Sequence, residues 1–80
     1  MVFNMSYKRN KINKLSNQLN TMYVTSEPFN FNDNYIGYKY FICFHNTNKI
    51  YKAFKNQNDL IEELEYIIEY GAQDGGRIFY

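Results

Sequence analysis

The chain has 80 residues, 45% of them hydrophobic and 20% aromatic, with a formal net charge of +1 at pH 7. A chain of that length makes one domain and buries only about 60–65% of its unfolded surface, which leaves room for a single core and no deep cleft. Near-neutrality excludes wholesale attraction to nucleic acid or an anionic membrane, and the lone cysteine, Cys43, excludes an intrachain disulfide and fits a reducing compartment.

Seven Phe and nine Tyr take the place of the absent Trp, and their large buried areas suit a small core. Twelve Asn against two Ala, with abundant Lys and Ile, is the residue bias of an A/T-rich genome. The charge is unevenly spread. Residues 1–26 carry +4 (Lys8, Arg9, Lys11, Lys14), residues 27–55 carry +2, and residues 56–80 carry −5. No apolar run approaches the ~18 residues of a membrane span. The opening MVFNMSYKRNK places its charges after its apolar residues, the reverse of a signal peptide. The expectation is a soluble cytoplasmic protein, without a membrane partner.

Met1–Met5 reads as a short edge strand or a frayed end. A basic helix is predicted over 6–22, with Ser6 as N-cap and Ile12, Leu15, Leu19 and Met22 recurring along one stripe. It is rich in Asn, a poor helix former, and so depends on docking for its order. Thr21–Ser26 is a strand or an extended connector. Glu27–Asn34 is a loop on account of Pro28 and its Asn/Asp residues, with Phe29 and Phe31 tucked against the core.

A β-hairpin is predicted over 35–55. In its first strand Ile36, Tyr38, Tyr40, Ile42 and Phe44 alternate with Tyr35, Gly37, Lys39, Phe41, Cys43 and His45, and the first set should face the helices. Asn46–Lys49 makes the turn. With His45 opposite Ile50, Tyr51 and Ala53 join the core face, while Ile50, Lys52 and Phe54 lie beside Phe41, Cys43 and His45 on the open one. A slip of one residue exchanges the two sets. An acidic helix follows over 58–71, its core stripe formed by Leu60, Ile61, Leu64, Ile67 and Ile68, with Asn58 or Asp59 as cap and Gly71 as stop. AQDGG is a turn and 77–80 a short closing strand. The fold class is therefore α+β: two layers, a small antiparallel sheet of three or four strands with both helices on one face. If Met1–Met5 is a strand and Thr21–Ser26 is not, the order is the ferredoxin-like βαββαβ.

Cys43 and His45, two apart on a strand, share a face. A thiolate–imidazole pair wants a third orienting group and a pocket, and a structural metal site wants about four ligands. One Cys and one His offer neither, so no metal, cofactor or catalytic set is expected and the chain reads as a non-enzyme. Gly75-Gly76 follows a helix, where a phosphate loop precedes one. The segment Gly37-Tyr38-Lys39-Tyr40-Phe41 partly resembles the RNP1 signature of RNA-recognition motifs, with Ile36, Lys39 and Cys43 departing from it. That resemblance implies base stacking by a strand tyrosine. Alternation instead sets Tyr38 and Tyr40 among core residues.

The basic helix offers Lys8, Arg9, Lys11 and Lys14 to phosphates, or simply presents a solvated face. On the acidic helix, Glu62, Tyr66 and Glu69 project outward, flanked by Glu65 and Tyr70, with no Lys or Arg on the helix to relieve the repulsion. Such a face either solubilises the protein or docks a basic partner, the tyrosines anchoring and the carboxylates pairing with arginine. Phe41, His45 and Phe54 form a second patch on the open sheet. The first expectation is an inhibitor from a phage or mobile element, binding a host protein or nucleoprotein complex with a basic surface in the manner of anti-CRISPR or anti-restriction proteins. The alternative is a small RNA- or DNA-binding module using the basic helix and the open sheet. A homodimer through the sheet edge or open face is the third.

Overall fold

The computed structural model describes the backbone of residues 3–80 and the side chains of residues 7–30, 32–34 and 37–80. The elements run α1 (Phe3–Ser16), β1 (Met22–Phe31), β2 (Asn34–Phe44), β3 (Ile50–Phe54), α2 (Gln57–Tyr70), β4 (Ala72–Asp74) and β5 (Arg77–Phe79). The first three strands form an antiparallel meander in the order β1-β2-β3, and β4 and β5 form a separate hairpin. The class is α+β, as the pattern predicts. The order αβββαββ is not the ferredoxin-like one. A helix already begins at Phe3, where a strand over Met1–Met5 was one reading; residues 1–2 lie outside the described residues, as do the side chains of Phe31, Tyr35 and Ile36.

The first helix stops at Ser16, well short of Met22. Gln18 and Leu19 donate to the carbonyls three residues back, Leu15 and Ser16, at 3.0 and 3.1 Å, which tightens and ends the coil. Leu19 and Met22 still enter the core, from the connection and from β1. Glu27–Asn34 is not a loop. β1 runs through Pro28 to Phe31 and turns at Asn32-Asp33, both with positive φ (51° and 64°), the mirror-image turn that matches strand twist. Pro28 is tolerated because β1 is an edge strand. The bond from His45 N to Thr21 O (2.9 Å) puts the odd-numbered β1 residues in the ladder, so position 28 directs its missing N–H away from β2.

Tyr40, Ile42 and Phe44 face the helices as alternation requires. From Lys52 onward the third strand follows the register one residue away from that with His45 opposite Ile50, the slip that exchanges the two sets. Cys43 pairs with Ile50, Ile42 with Lys52 and Tyr40 with Phe54, with an irregularity between the first two pairs. The extra residue lets both Tyr51 and Lys52 point to the helix side: the Tyr51 ring meets Phe44 edge-on at 5.8 Å, and Lys52 reaches Glu63 on α2. Phe54 packs against the core, and Ala53, opposite Phe41, lies on the open face.

Leu60, Leu64 and Ile67 of α2 and Ile42 of β2 are fully buried and, with Ile12, Leu19, Met22 and Phe44, make one core between the layers. The α2 cap is Asn56, one turn ahead of Asp59: its Oδ1 accepts from Asp59 N at 2.8 Å while its Nδ2 donates to the Asp59 carboxylate at 3.0 Å. Gly71 (φ 83°) ends the helix as predicted, its N–H bonding Ile67 O at 2.7 Å. The AQDGG segment is β4 plus the turn to β5. That hairpin does not extend the main sheet. It closes the end of the core, Phe79 meeting Phe44 edge-on at 5.2 Å, and the Tyr80 carbonyl accepts from Asn20 N, Thr21 N and Thr21 Oγ1. No described helix is long and apolar enough to cross a membrane.

Candidate docking surface

Short connections force α1 antiparallel to β1 and α2 antiparallel to β3, so the two helices run the same way, side by side, over one face of the sheet. Lys11 bridges Glu65 at 3.5 Å, and Tyr7 and Lys8 border a shallow depression with Asp59 and Glu62. The molecule is a slab, 39 × 30 × 16 Å by its principal axes. One broad face is the helix layer, the other the bare side of the sheet.

On α2 the outward positions are as helical geometry demands. Tyr66 and Tyr70 are 56% and 60% exposed, and their rings, one turn apart, meet at 4.9 Å with their planes tilted by 45°. Glu62, Glu65 and Glu69 surround them, all exposed. The acids are not equivalent. Glu65 is held by Lys11, and Glu63, its side chain more than four-fifths covered, by Lys52 at 3.2 Å. Among the described residues no cation pairs with Glu62 or Glu69. Exposed pairs such as Lys11–Glu65 contribute at most about 1 kcal/mol, so a competing partner can exchange them. Burial pushes the Tyr51 phenol, beneath this edge of α2, above its ordinary value; Glu63 adds to the rise and Lys52 opposes it.

The second predicted patch is divided. Phe41 and His45 lie on the open face with Tyr23, while Phe54 does not, because the irregularity in β3 turns it to the core. The Tyr23 ring stacks on His45 at 4.9 Å and its hydroxyl donates to Asn48 Oδ1 at 2.9 Å. Cys43 is buried on this side, next to Tyr23, whose phenol is raised by burial and by the neighbouring thiol. Tyr23 is the cross-strand neighbour of Cys43 on β1. Among the described residues no three His, Cys, Asp or Glu side chains gather to hold a metal.

The basic residues are likewise separated. Lys8 and Lys11 look toward α2, Arg9 faces a cleft against β1 with Asn13, Ser16 and Thr25, and Lys14 is exposed on the outer side. All four belong to the helix layer, on the opposite side of the slab from Phe41 and His45. Tyr40 packs inward, against the base-stacking role that the RNP1 resemblance implies, whereas Tyr38 is 43% exposed where β1 and β2 outrun the helices.

Sequence reasoning missed Tyr7, 65% exposed on the outer side of α1, and Phe29, 44% exposed on the long hairpin. Tyr7 lies four and seven residues before Lys11 and Lys14, a spacing that identifies the shared stripe. Phe29 was concealed by the loop reading. Comparison with known proteins gives no match among family models, curated proteins or solved structures. Fold and surface define a small two-layer α+β protein whose helix layer is split into a basic and an acidic half.

Proposed function

We propose that the protein is a non-enzymatic inhibitor, encoded by a phage or mobile element and acting in the host cytoplasm. It binds stoichiometrically to a larger nucleic-acid-handling defence complex through the acidic, tyrosine-bearing side of α2. One observation carries this reading: the exposed Tyr66–Tyr70 pair, its rings in contact, stands beside Glu62 and Glu69, neither of which pairs with a described cation of the chain. Two rigid rings give contact area at small entropic cost, and free carboxylates beside them pair bidentately with arginine, which abounds on surfaces that hold nucleic acid. A face built this way occupies the place of phosphates.

The test is the double variant Tyr66→Ala with Glu69→Lys, compared with the native chain for capture of its target from host lysate and for one-to-one inhibition of a CRISPR or restriction nuclease. Both residues are exposed, so the melting temperature stays within about 2–3 °C. Capture and inhibition fall by about 30-fold or more, the effect of losing one anchor. Undiminished binding rejects the site.

A second reading, a nucleic-acid module, is favoured by the open side of the sheet. There Lys39 lies 5.7 Å over the Phe41 ring, and Phe29, Lys39 and Lys55 border one depression. It requires a mobility shift of single-stranded RNA or DNA at low salt that Lys39→Glu removes and about tenfold more salt abolishes. No shift at low salt eliminates it.

A further inference from the structure

We propose that the helix layer also pairs with itself, α1 of each copy lying on α2 of a second copy about a two-fold axis. The outward side of α1 presents Tyr7, Asn10 and Lys14, with no acidic residue anywhere on that helix. The outward side of α2 presents Glu62, Tyr66 and Glu69, with no basic residue. The two stripes lie side by side on one broad side of a thin slab. A surface divided along its midline into positive and negative halves meets its complement when a second copy is laid face to face on it by a half turn about that midline, an axis that lies in the interface and parallel to the helices, which is the isologous arrangement of a closed dimer.

A half turn about that line leaves helix direction unchanged. It brings the Tyr7 end of α1 toward the Glu62 end of the other copy's α2, and the Lys14 end toward Glu69, the same levels at which Lys11 meets Glu65 within one copy. Aromatic rings stand on both stripes, Tyr7 on one and Tyr66 and Tyr70 on the other, so the contact combines opposite charge with exposed aromatic area. Two 14-residue helices are each about 21 Å long and together about 20 Å wide. That footprint is at the small end of specific interfaces, and association is correspondingly weak. The sheet edges offer no comparable route. β1 carries Pro28 and a register break at Phe29/Asn30, and β3 an irregular pairing flanked by Lys49, Lys52 and Lys55, devices that blunt strand-to-strand association.

This pairing uses the same acidic side as the proposed function and competes with it, but it needs no foreign partner. The test is sedimentation equilibrium of the purified full chain from about 10 μM to about 1 mM, at about 20 mM and about 500 mM salt, where screening lengths differ several-fold. The expected mass rises from 9.7 kDa toward twice that value at low salt and returns to monomer at high salt. Lys14→Glu alone and Glu69→Lys alone each weaken association about tenfold or more, since symmetry makes every lost contact count twice, and the two together restore it. A monomer throughout at low salt overturns the proposal. So does a dimer indifferent to Lys14→Glu, or a double reversal that fails to restore pairing. A monomeric chain that still captures its target refutes only the pairing, and a dimer that captures none refutes only the inhibitor reading.

Discussion

Replacing Leu64 by alanine lowers the unfolding free energy by about 3 kcal/mol. The side chain is wholly buried at the middle of α2, in one cluster with Ile42, Leu60 and Ile67, themselves fully buried. Alanine is the better helix former, so no loss of propensity contributes and the change reads core packing alone. An 80-residue domain has only about 4–12 kcal/mol in total, so at least a quarter of the stability goes. The melting temperature falls by about 15 °C, and urea unfolding shows a lower midpoint at unchanged slope. A loss under about 1 kcal/mol would mean that α2 does not seat on the sheet through this residue.

Gly71→Ala is the second large effect, expected at about 2–4 kcal/mol. Two causes act together. The residue holds φ 83°, which a side chain adopts only with strain. A Cβ there collides with Ile78 Cγ2 and sits 3.1 Å from both the Phe79 carbonyl oxygen and Tyr80 Cε1. Relief requires β5 to move, and with it Phe79, which closes the core over Phe44. Gly75→Ala separates the causes. It shares a positive φ (59°) but has open space around its Cβ, so it costs only about 1 kcal/mol. Thermal melts of the two variants side by side decide the matter, and equal losses would assign the effect to backbone strain alone.

What the chain revealed of itself follows from the range of the forces involved. The second helix and the inward set of β2 were legible because each has a local period that its own side chains complete: Leu60, Leu64 and Ile67 in one, Tyr40, Ile42 and Phe44 in the other. The outward position of Tyr66 follows from the same geometry. The first helix was overextended because Leu19 and Met22 continue its stripe, although they reach the core from a tight turn and a strand. Pro28 and the Asn-rich run masked β1, since tolerance of proline depends on which strand is at the edge. The irregular pairing in β3 has no signature within five residues, and it alone decides that Phe54 leaves the open face. Which acids keep an internal cation was likewise hidden. Lys11–Glu65 and Lys52–Glu63 are set by how α1 and β3 come to lie beside α2.

The bond from Thr21 Oγ1 to the Tyr80 carbonyl joins residues 59 apart, and α1 meets α2 only after the whole meander between them is in place. The three strands, by contrast, are linked by short connections and close with little loss of chain entropy. Loop-closure entropy therefore favours the meander as the earlier part to form and the meeting of the ends as the later one. The helix layer, on which the proposed docking surface lies, is the part whose contacts join the most distant stretches of chain.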